Sequence, residues 1–277
     1  MVRRGTKHRL RSFLIFLLIL AVLLGLWAYG NFTFGVVEYE IPISKVTQEI
    51  RIVHLSDLHS AQYGPDNASL IKKIEQCQPD LIFATGDMAT AHDQAGQERA
   101  IALLSSFDVP VYFVPGEHDH SQDFSDALSE AGVHVLRYES ETITVQDTEL
   151  VLYGIDNAYF GPNFNLSDSL PAPDESRLNI LLAHIPNLEA YASFGTDLSF
   201  CGDTHGGLIR LPILGPAYLD GNWFPRLTTD EQPIDKGIFS YNDHTMLVSG
   251  GLGNYPAPIR MGNRPECSLV RLVPDSN

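Results

Sequence analysis

The sequence predicts an α/β domain of the mixed α+β kind behind one N-terminal transmembrane helix, and three observations support this prediction. An apolar run without a charged residue occupies residues 13–29. From residue 50, short β-branched apolar runs alternate with stretches of helical period. From residue 208 to residue 273, short apolar segments are broken by Gly and Pro, which indicates strands and loops. Strands that alternate with helices and then give way to more strands are typical of a layered domain.

The N-terminal segment is basic, and no acidic residue precedes Glu38. As a helix, residues 13–29 would span about 25 Å, slightly less than a hydrocarbon core, with Trp27 and Tyr29 at the interface. The basic flank predicts that the N-terminus stays cytoplasmic and that the following chain is exported. A cleaved signal peptide is the alternative, because residues 28–30 (Ala-Tyr-Gly) resemble the small-residue pattern of a cleavage site. The length of the run favours an uncleaved anchor.

The predicted organisation has four segments. They are a basic cytoplasmic tail (1–11), a transmembrane signal-anchor (12–30), a tether with the first strand (31–47), and an extracytoplasmic globular domain (48–277). The chain has 18 Lys+Arg against 34 Asp+Glu, and without the five N-terminal bases the remainder carries −21. A domain this acidic repels nucleic acid, so we expect no such partner. The three cysteines are too few and odd in number for a disulfide framework, and the sequence indicates no particular oligomeric state.

The predicted elements follow from local apolar patterns. Leu70, Ile71 and Ile74, for example, have helical spacing. The predicted strands are 50–55, 80–85, 109–114, 134–136, 141–145, 149–155, 178–183 and 197–201. The predicted helices are 68–76, 97–107 and 124–131, and Gly132 ends the last one.

Five of the apolar runs end in Asp, Glu or His. These ends are Asp57-Leu58-His59, Gly86-Asp87, Gly116-Glu117-His118-Asp119, His184 and Gly202-Asp203-Thr204-His205. In open α/β sheets the ligand crevice lies at the carboxyl ends of the strands, so we expect these side chains to converge. Each motif alone is common in proteins without a metal. Together, carboxylates and imidazoles predict a site for Mn, Fe, Zn or Mg.

With these motifs the sequence resembles the calcineurin-like metallophosphoesterases, and it is most similar to their bacterial membrane-anchored branch. The stretches that carry the resemblance are SDLHS (56–60), LLAH (181–184), THGGLIRLP (204–212) and PIRMGNRPE (258–266). The resemblance runs from about residue 48 to the C-terminus. It implies a four-layer sandwich of two β-sheets flanked by helices. It also implies hydrolysis of a phosphodiester or phosphomonoester by a hydroxide that bridges two divalent ions.

The resemblance also implies roles for nine residues. The first metal would bind Asp57, His59, Asp87 and His205, and Asp87 would bridge to the second metal, which would bind Glu117, His184 and Asp203. His118 would act as the general acid or as a transition-state stabiliser, and Asp119 would orient it.

Two positions depart from the family pattern. Glu117 replaces an Asn, and Asp203 replaces the first His of Gly-His-x-His. We interpret this as a retuned second site, in which four carboxylates balance the charge of two dications. We expect Mn²⁺ as the favoured ion, with Fe, Zn, Mg or Ca as alternatives, and reduced or altered activity. Two alternatives follow from the substitutions: a metal- and phosphate-binding protein without turnover, and an envelope protein that its metal merely stabilises.

The substrate is indicated only weakly. The apolar stretch 211–227 contains Trp223 and follows a predicted ligand, so a lipid-linked phosphoester would suit it. Ordinary loop packing explains the stretch equally well. Arg210 and Arg260, with Arg264, are candidate phosphate contacts, although structural ion pairs are the commoner use of arginine.

Overall fold

A computed structural model describes residues 3–156, 165–230 and 232–275, so the extreme ends of the predicted tail and domain lie outside the described residues. The N-terminal helix, α1 (Arg3–Phe32), is longer than the predicted span at both ends. Strand β1 (Gly35–Ile43) begins almost at once, so only Thr33 and Phe34 connect the two elements. The tether predicted within residues 31–47 is therefore reduced to two residues.

The remaining elements alternate as predicted through the first half of the domain. The strands are β2 (Ile50–Leu55), β3 (Leu81–Thr85), β4 (Val111–Val114), β5 (His134–Val135), β6 (Glu139–Val145), β7 (Thr148–Gly154), β8 (Leu178–Leu182), β9 (Leu198–Cys201), β10 (Arg210–Leu211), β11 (Gly215–Pro216), β12 (Tyr218–Leu219), β13 (Asn222–Trp223), β14 (Gly237–Tyr241), β15 (His244–Val248) and β16 (Glu266–Pro274). The helices are α2 (Ala68–Glu75), α3 (Gln94–Leu104), α4 (Gln122–Glu130), α5 (Leu188–Phe194) and α6 (Pro225–Thr228), with short 3₁₀ helices at Pro65–Asn67 and Leu166–Asp168.

Helix starts differ from the predictions where a side chain caps the first turn. Helix α3 begins three residues earlier than predicted because the Asp93 carboxylate accepts from the Gly96 amide. Helix α4 begins two residues earlier because the Ser121 hydroxyl accepts from the Phe124 amide. Helix α5 was not predicted, and Asn187 caps it in the same way.

The domain has four layers, as predicted. One sheet has the strand order β1-β16-β2-β3-β4-β5, and the other has the order β14-β15-β9-β8-β7-β6. The two sheets face each other across an apolar core, in which the Phe83 and Phe200 rings lie 5.1 Å apart. A second core joins the first sheet to α2, α3 and α4, and a third joins the other sheet to α5.

The strand directions place the end of α1 at the same edge as the predicted site. Strands β2, β3 and β4 are parallel, so their carboxyl ends share one edge. Strand β16 runs antiparallel to β2, with Ser268 opposite His54, and parallel to β1, with Gly35 opposite Glu266. The start of β1 therefore lies where β2 ends, two residues before Asp57.

Candidate metal centre

The predicted ligands occupy the loops that leave five strands of the two sheets. Asp57 and His59 follow β2, Asp87 follows β3, Glu117 follows β4, His184 follows β8, and Asp203 and His205 follow β9. Five of these seven residues have a positive φ: Asp57 (51°), His59 (44°), Asp87 (54°), Asp203 (70°) and His205 (50°). Residues other than glycine rarely adopt this conformation, and such strain concentrates at functional sites.

Backbone hydrogen bonds between neighbouring loops hold these conformations. The Asp57 amide donates to the Gly86 carbonyl at 3.1 Å, and the His59 amide donates to the Asp87 carbonyl at 2.9 Å. These bonds tie the loop after β2 to the loop after β3 and so fix three predicted ligands relative to one another.

The loops bring most of the predicted ligands together. Among the described residues, three sets have ligand atoms that all lie within 4.8 Å of one another: Asp57, His59 and His205; Asp57, Asp87 and His184; and His59, Asp87 and His118. The His59 and His205 Nε2 atoms face each other at 3.2 Å. The Asp87 Oδ2 atom lies 3.5 Å from Nε2 of both His59 and His184.

The cluster leaves buried polar atoms without a protein partner, as a cation site would. Asp57 is fully buried, and its Oδ2 atom has no hydrogen bond. His184 Nδ1 lies 2.7 Å from the Thr85 carbonyl, which places the proton on Nδ1 and leaves Nε2 free to ligate. An unpaired carboxylate in a buried site is costly, and a bound cation removes that cost. The residues present therefore fit divalent metal ions.

The pKa values of His59, His205 and Asp87 agree with a role as ligands, whereas a metal ion at His184 would have to replace a proton on Nε2. Burial lowers the pKa of His59 to about 4 and of His205 to about 3, so both imidazoles are neutral at pH 7. Burial opposes ionisation of Asp87, but hydrogen bonding and charge interaction with His184 outweigh it and lower the pKa to about 2. Burial of His184 likewise opposes its protonation, but the hydrogen bond to Asp87 and the nearby carboxylates raise its pKa well above the usual value.

Glu117 and Asp203 lie at the margin of the cluster, outside the three ligand sets found among the described residues. Asp203 Oδ1 is 3.7 Å from His184 Nε2, and the Asp203 amide donates to Asp57 Oδ1 at 3.1 Å. Burial raises the pKa of Asp203 to about 6. Glu117 is exposed and lines the cavity above the cluster. Their predicted role as ligands of a second metal stays a prediction.

The predicted contact between Asp119 and His118 is wrong. The His118 Nδ1 atom accepts from the Ala91 amide at 3.2 Å. The buried Asp119 carboxylate instead accepts from the Gly116 amide at 2.7 Å and from the Met88 amide at 2.6 Å. Asp119 therefore joins the loop after β4 to the loop after β3. It fixes the backbone beside His118 and does not orient the imidazole itself.

The predicted phosphate contacts of the arginines are not present in this conformation. Arg210 forms an ion pair with buried Asp235 at 2.9 Å. Arg260 is fully buried, and its guanidinium donates to the Gly253 carbonyl at 2.9 Å and to the Gly251 carbonyl at 3.3 Å. Arg264 donates to Thr33 at 2.9 Å. Because these side chains point into the protein, they do not line the cavity above the metal ligands.

That cavity has a volume of about 570 Å³ and an apolar wall. It extends from His59 and Asp203 to Ile209, Tyr218 and Trp223. The stretch 211–227, singled out in the sequence, thus contributes to the wall.

No pattern in the sequence pointed to Tyr255, which also lines the cavity. Its ring stacks on His59 at 4.7 Å and meets the edge of His118 at 4.5 Å. Asn263 was also missed. It donates to the His205 carbonyl at 2.6 Å, and the only signal was its place within the PIRMGNRPE stretch.

Comparisons with known proteins agree with this site. The family model for calcineurin-like phosphoesterases matches residues 50–207, which is more than half of the chain. The Bacillus subtilis (strain 168) protein YpbG is 28% identical over 242 residues, covering 84% of this chain and 86% of YpbG. The B. subtilis metallophosphoesterase YkuE is 27% identical over 233 residues, covering 80% of this chain and 78% of YkuE.

A relative whose name states an activity is the phosphodiesterase YaeI of Escherichia coli (strain K12). It is 26% identical over 237 residues, covering 80% of this chain and 82% of YaeI. The matched region of the family model begins at β2 and ends just after His205, so it contains every predicted metal ligand. The chain therefore belongs to the calcineurin-like phosphoesterase family and is a phosphoric ester hydrolase.

Proposed function

We propose that this protein is a membrane-anchored phosphoesterase with an extracytoplasmic domain, and that it hydrolyses a phosphodiester or phosphomonoester, with a lipid-linked ester favoured. The observation that supports the proposal most directly is the buried, partly unpaired cluster of Asp57, Asp87 and His184 beneath a cavity with an apolar wall. The similarity to the phosphodiesterase YaeI favours a diester.

Two divalent ions suit the ligand set. The first would be held by Asp57, His59, Asp87 and His205, and the second by Asp87, Glu117, His184 and Asp203. Mn²⁺ suits the mixture of imidazole and carboxylate. When bound, such ions neutralise phosphoryl oxygens and lower the pKa of bound water. A local positive charge is needed because the domain as a whole is strongly acidic.

In this proposal His118 holds a proton for the leaving oxygen. Its Nδ1 atom accepts from the Ala91 amide, so the neutral ring carries its proton on Nε2. The ring lines the cavity, where Tyr255 and His59 restrict its rotation. From there Nε2 can donate to an ester oxygen as that oxygen gains charge.

Three observations support an anchor, and the third of them favours an uncleaved one. Within α1, residues 8–32 are long and apolar enough to cross a membrane, and they are the only such span among the described residues. Leu14, Leu18 and Leu24 are exposed, so the helix has no protein core to bury them. The alternative cleavage pattern at residues 28–30 lies inside this helix, next to buried Asn31, which is bound to the domain.

A binding protein without turnover is the second candidate, because Glu117 and Asp203 lie outside the ligand sets described above. In that case the same site would retain metal and phosphate without hydrolysing an ester.

The test is hydrolysis by the full chain, purified in detergent and freed of metal. Chromogenic phosphodiester and phosphomonoester substrates are offered while Mn²⁺ is titrated. We expect turnover that requires Mn²⁺ and falls about 10³-fold or more in Asp57→Asn, whose thermal unfolding shows whether it is folded. A folded wild-type protein that binds Mn²⁺ and phosphate but hydrolyses neither substrate would contradict the enzyme and support the binding protein. Metal-dependent stability alone would support a structural role.

A further inference from the structure

The end of α1 is bound rigidly to the loop that borders the candidate metal centre. The Trp27 indole donates to the Pro258 carbonyl at 2.7 Å. Asn31 is buried, and its side chain donates to the Arg260 carbonyl at 3.0 Å and accepts from the Arg260 amide at 2.9 Å. The Arg264 guanidinium lies 4.8 Å from the centre of the Tyr29 ring. With only two residues between α1 and β1, the helix fixes the orientation of the domain.

The loop that contacts the end of α1 continues directly into the wall of the cavity. The Met261 amide donates to the Leu208 carbonyl at 3.0 Å, and the Arg210 amide donates to the Met261 carbonyl at 2.8 Å. The hairpin of β10 and β11 is therefore bound to the same loop as the end of α1. Because the start of β1 and the end of β2 share one edge of the sheet, the helix and the mouth of the cavity lie at the same end of the domain.

The surface at this end is apolar and exposed. We call it the apolar lip and define it by Ile209, Leu211, Ile213, Tyr218, Trp223 and Ile259, all of which are exposed. Trp223 is 65% exposed and Ile213 is 96% exposed. Four members (Ile209, Tyr218, Trp223 and Ile259) also line the cavity above the metal ligands. The apolar lip is therefore continuous with the wall of the site.

Ile213 has two unfavourable features at once. It lies at the tip of the β10–β11 hairpin with φ of 70°, which a β-branched residue rarely adopts. Its side chain gains no burial in the protein to offset that strain. Strain of this kind is retained where a side chain is needed in an unusual position.

The apolar lip contains few charged residues, which favours contact with a membrane. Residues 207–223 contain two charged residues: Arg210, whose side chain turns inward to buried Asp235, and Asp220, which is exposed in the turn between β12 and β13. The rest of the domain is strongly acidic and would be repelled by anionic headgroups. The apolar lip can therefore approach lipid provided that Asp220 stays at the level of the headgroups, where its carboxylate remains hydrated.

We propose that the apolar lip inserts into the outer leaflet of the membrane that holds α1, so that the cavity opens onto the lipid headgroups. The proposal rests on the proposed anchoring and deepens the proposed substrate class. A lipid phosphoester would enter sideways, with its phosphate toward the metal ligands and its apolar part along Ile209 and Trp223. Aromatic and aliphatic side chains in this arrangement are typical of interfacial contacts.

The first test measures the depth of residue 213 in a bilayer. The full chain carrying Ile213→Cys is labelled with an environment-sensitive fluorophore and placed in phosphatidylcholine–phosphatidylglycerol vesicles that contain spin-labelled lipids. The three native cysteines are buried and stay unlabelled. Asp147→Cys is the matched control, because Asp147 is exposed in the β6–β7 turn, at the opposite end of its sheet.

We expect the label at residue 213 to be quenched at least about twofold more than the label at residue 147 and to emit at shorter wavelength. Equal quenching and equal emission at the two positions would overturn the proposal.

The second test separates this proposal from the proposed function. Ile213 does not line the cavity, so Ile213→Asp should leave hydrolysis of a soluble chromogenic diester unchanged. It should slow hydrolysis of a vesicle-embedded lipid phosphodiester about tenfold, because a carboxylate resists insertion. Equal rates of Ile213→Asp and wild type on the embedded lipid would refute membrane delivery. If the wild type hydrolyses neither substrate, the proposed function fails, whereas the quenching experiment still decides whether the apolar lip contacts lipid.

Discussion

Replacing Gly86 with alanine tests whether close backbone packing sets the position of the metal ligands. Gly86 follows β3, directly before Asp87, and has φ of 82°. A methyl group at this position would lie 2.5 Å from the Gly116 amide nitrogen and 2.8 Å from His184 Nδ1. Neither neighbour is the free end of a flexible side chain, so the loop after β4 or the His184 ring has to move.

The size of the effect follows from these contacts. Ordinary contact begins at 3.4 Å, so the neighbours at 2.5 Å must move by 0.9 Å. Overpacking of this kind costs ~1–3 kcal/mol, and a left-handed alanine costs a further ~1–2 kcal/mol. A shift of about 1 Å at a reacting centre lowers the rate about 10²-fold. We therefore expect Gly86→Ala to lose ~2–5 kcal/mol of stability and about 10²-fold in Mn²⁺-dependent turnover.

Gly132 provides a matched control. It has φ of 90°, but a methyl group there would meet nothing within 4 Å. Gly132→Ala should therefore lose only the ~1–2 kcal/mol of backbone strain and retain full turnover. Thermal unfolding and turnover of the two variants are compared at saturating Mn²⁺. If the two variants unfold at the same temperature and turn over equally fast, close packing does not position His184 and the reasoning is refuted.

Three further predictions concern the chemistry and pH response of the domain. His118→Ala should lower turnover about 10²–10³-fold while calorimetry shows unchanged Mn²⁺ affinity, since the ring donates a proton and is not a ligand; a loss of Mn²⁺ affinity would make it a ligand instead. Glu117→Asn combined with Asp203→His removes two negative charges from the site and should raise phosphodiester turnover about tenfold; an unchanged rate would show that these carboxylates do not limit activity. Burial lowers the pKa of His54 to about 3, so the folded state binds a proton at His54 less readily than the unfolded state. The free energy of unfolding should therefore fall as pH falls from 6.5 toward 3, by about 2 kcal/mol between pH 7 and pH 5. His54→Gln should flatten that slope in denaturant titrations, and an unchanged slope would assign the pH response to other groups.

The convergence of the predicted metal ligands could be predicted because each follows an apolar strand, and the carboxyl ends of parallel strands lie at one edge of a sheet. Asp57, Asp87 and His184 came from three separate sequence segments, yet the sheet order brings them within 4.8 Å. The four layers were confirmed for the same reason: the apolar runs have the lengths and the order that two packed sheets require.

Contacts made through loop geometry could not be predicted. The family resemblance implied that Asp119 orients His118, but the loop after β3 presents the Met88 and Ala91 amides, which bind the two side chains instead. Tyr255 reaches the site from a segment with no periodic pattern. Helix α5 has seven residues, too few for a helical period to stand out in the sequence.

The position of β16 in the first sheet has a consequence for how the chain acquires its structure. Strand β1 is the first strand along the chain, yet in the described sheet its only neighbour is β16, which begins 223 residues after β1 ends at Ile43. As the chain folds, β1 therefore has no partner strand in this sheet until Glu266–Pro274 takes its place beside it. Such distant pairing makes folding slow, and it makes the arrival of this strand the event that completes the sheet. A chain shortened by those nine residues would retain the metal ligands but leave β1 and β2 without the strand between them.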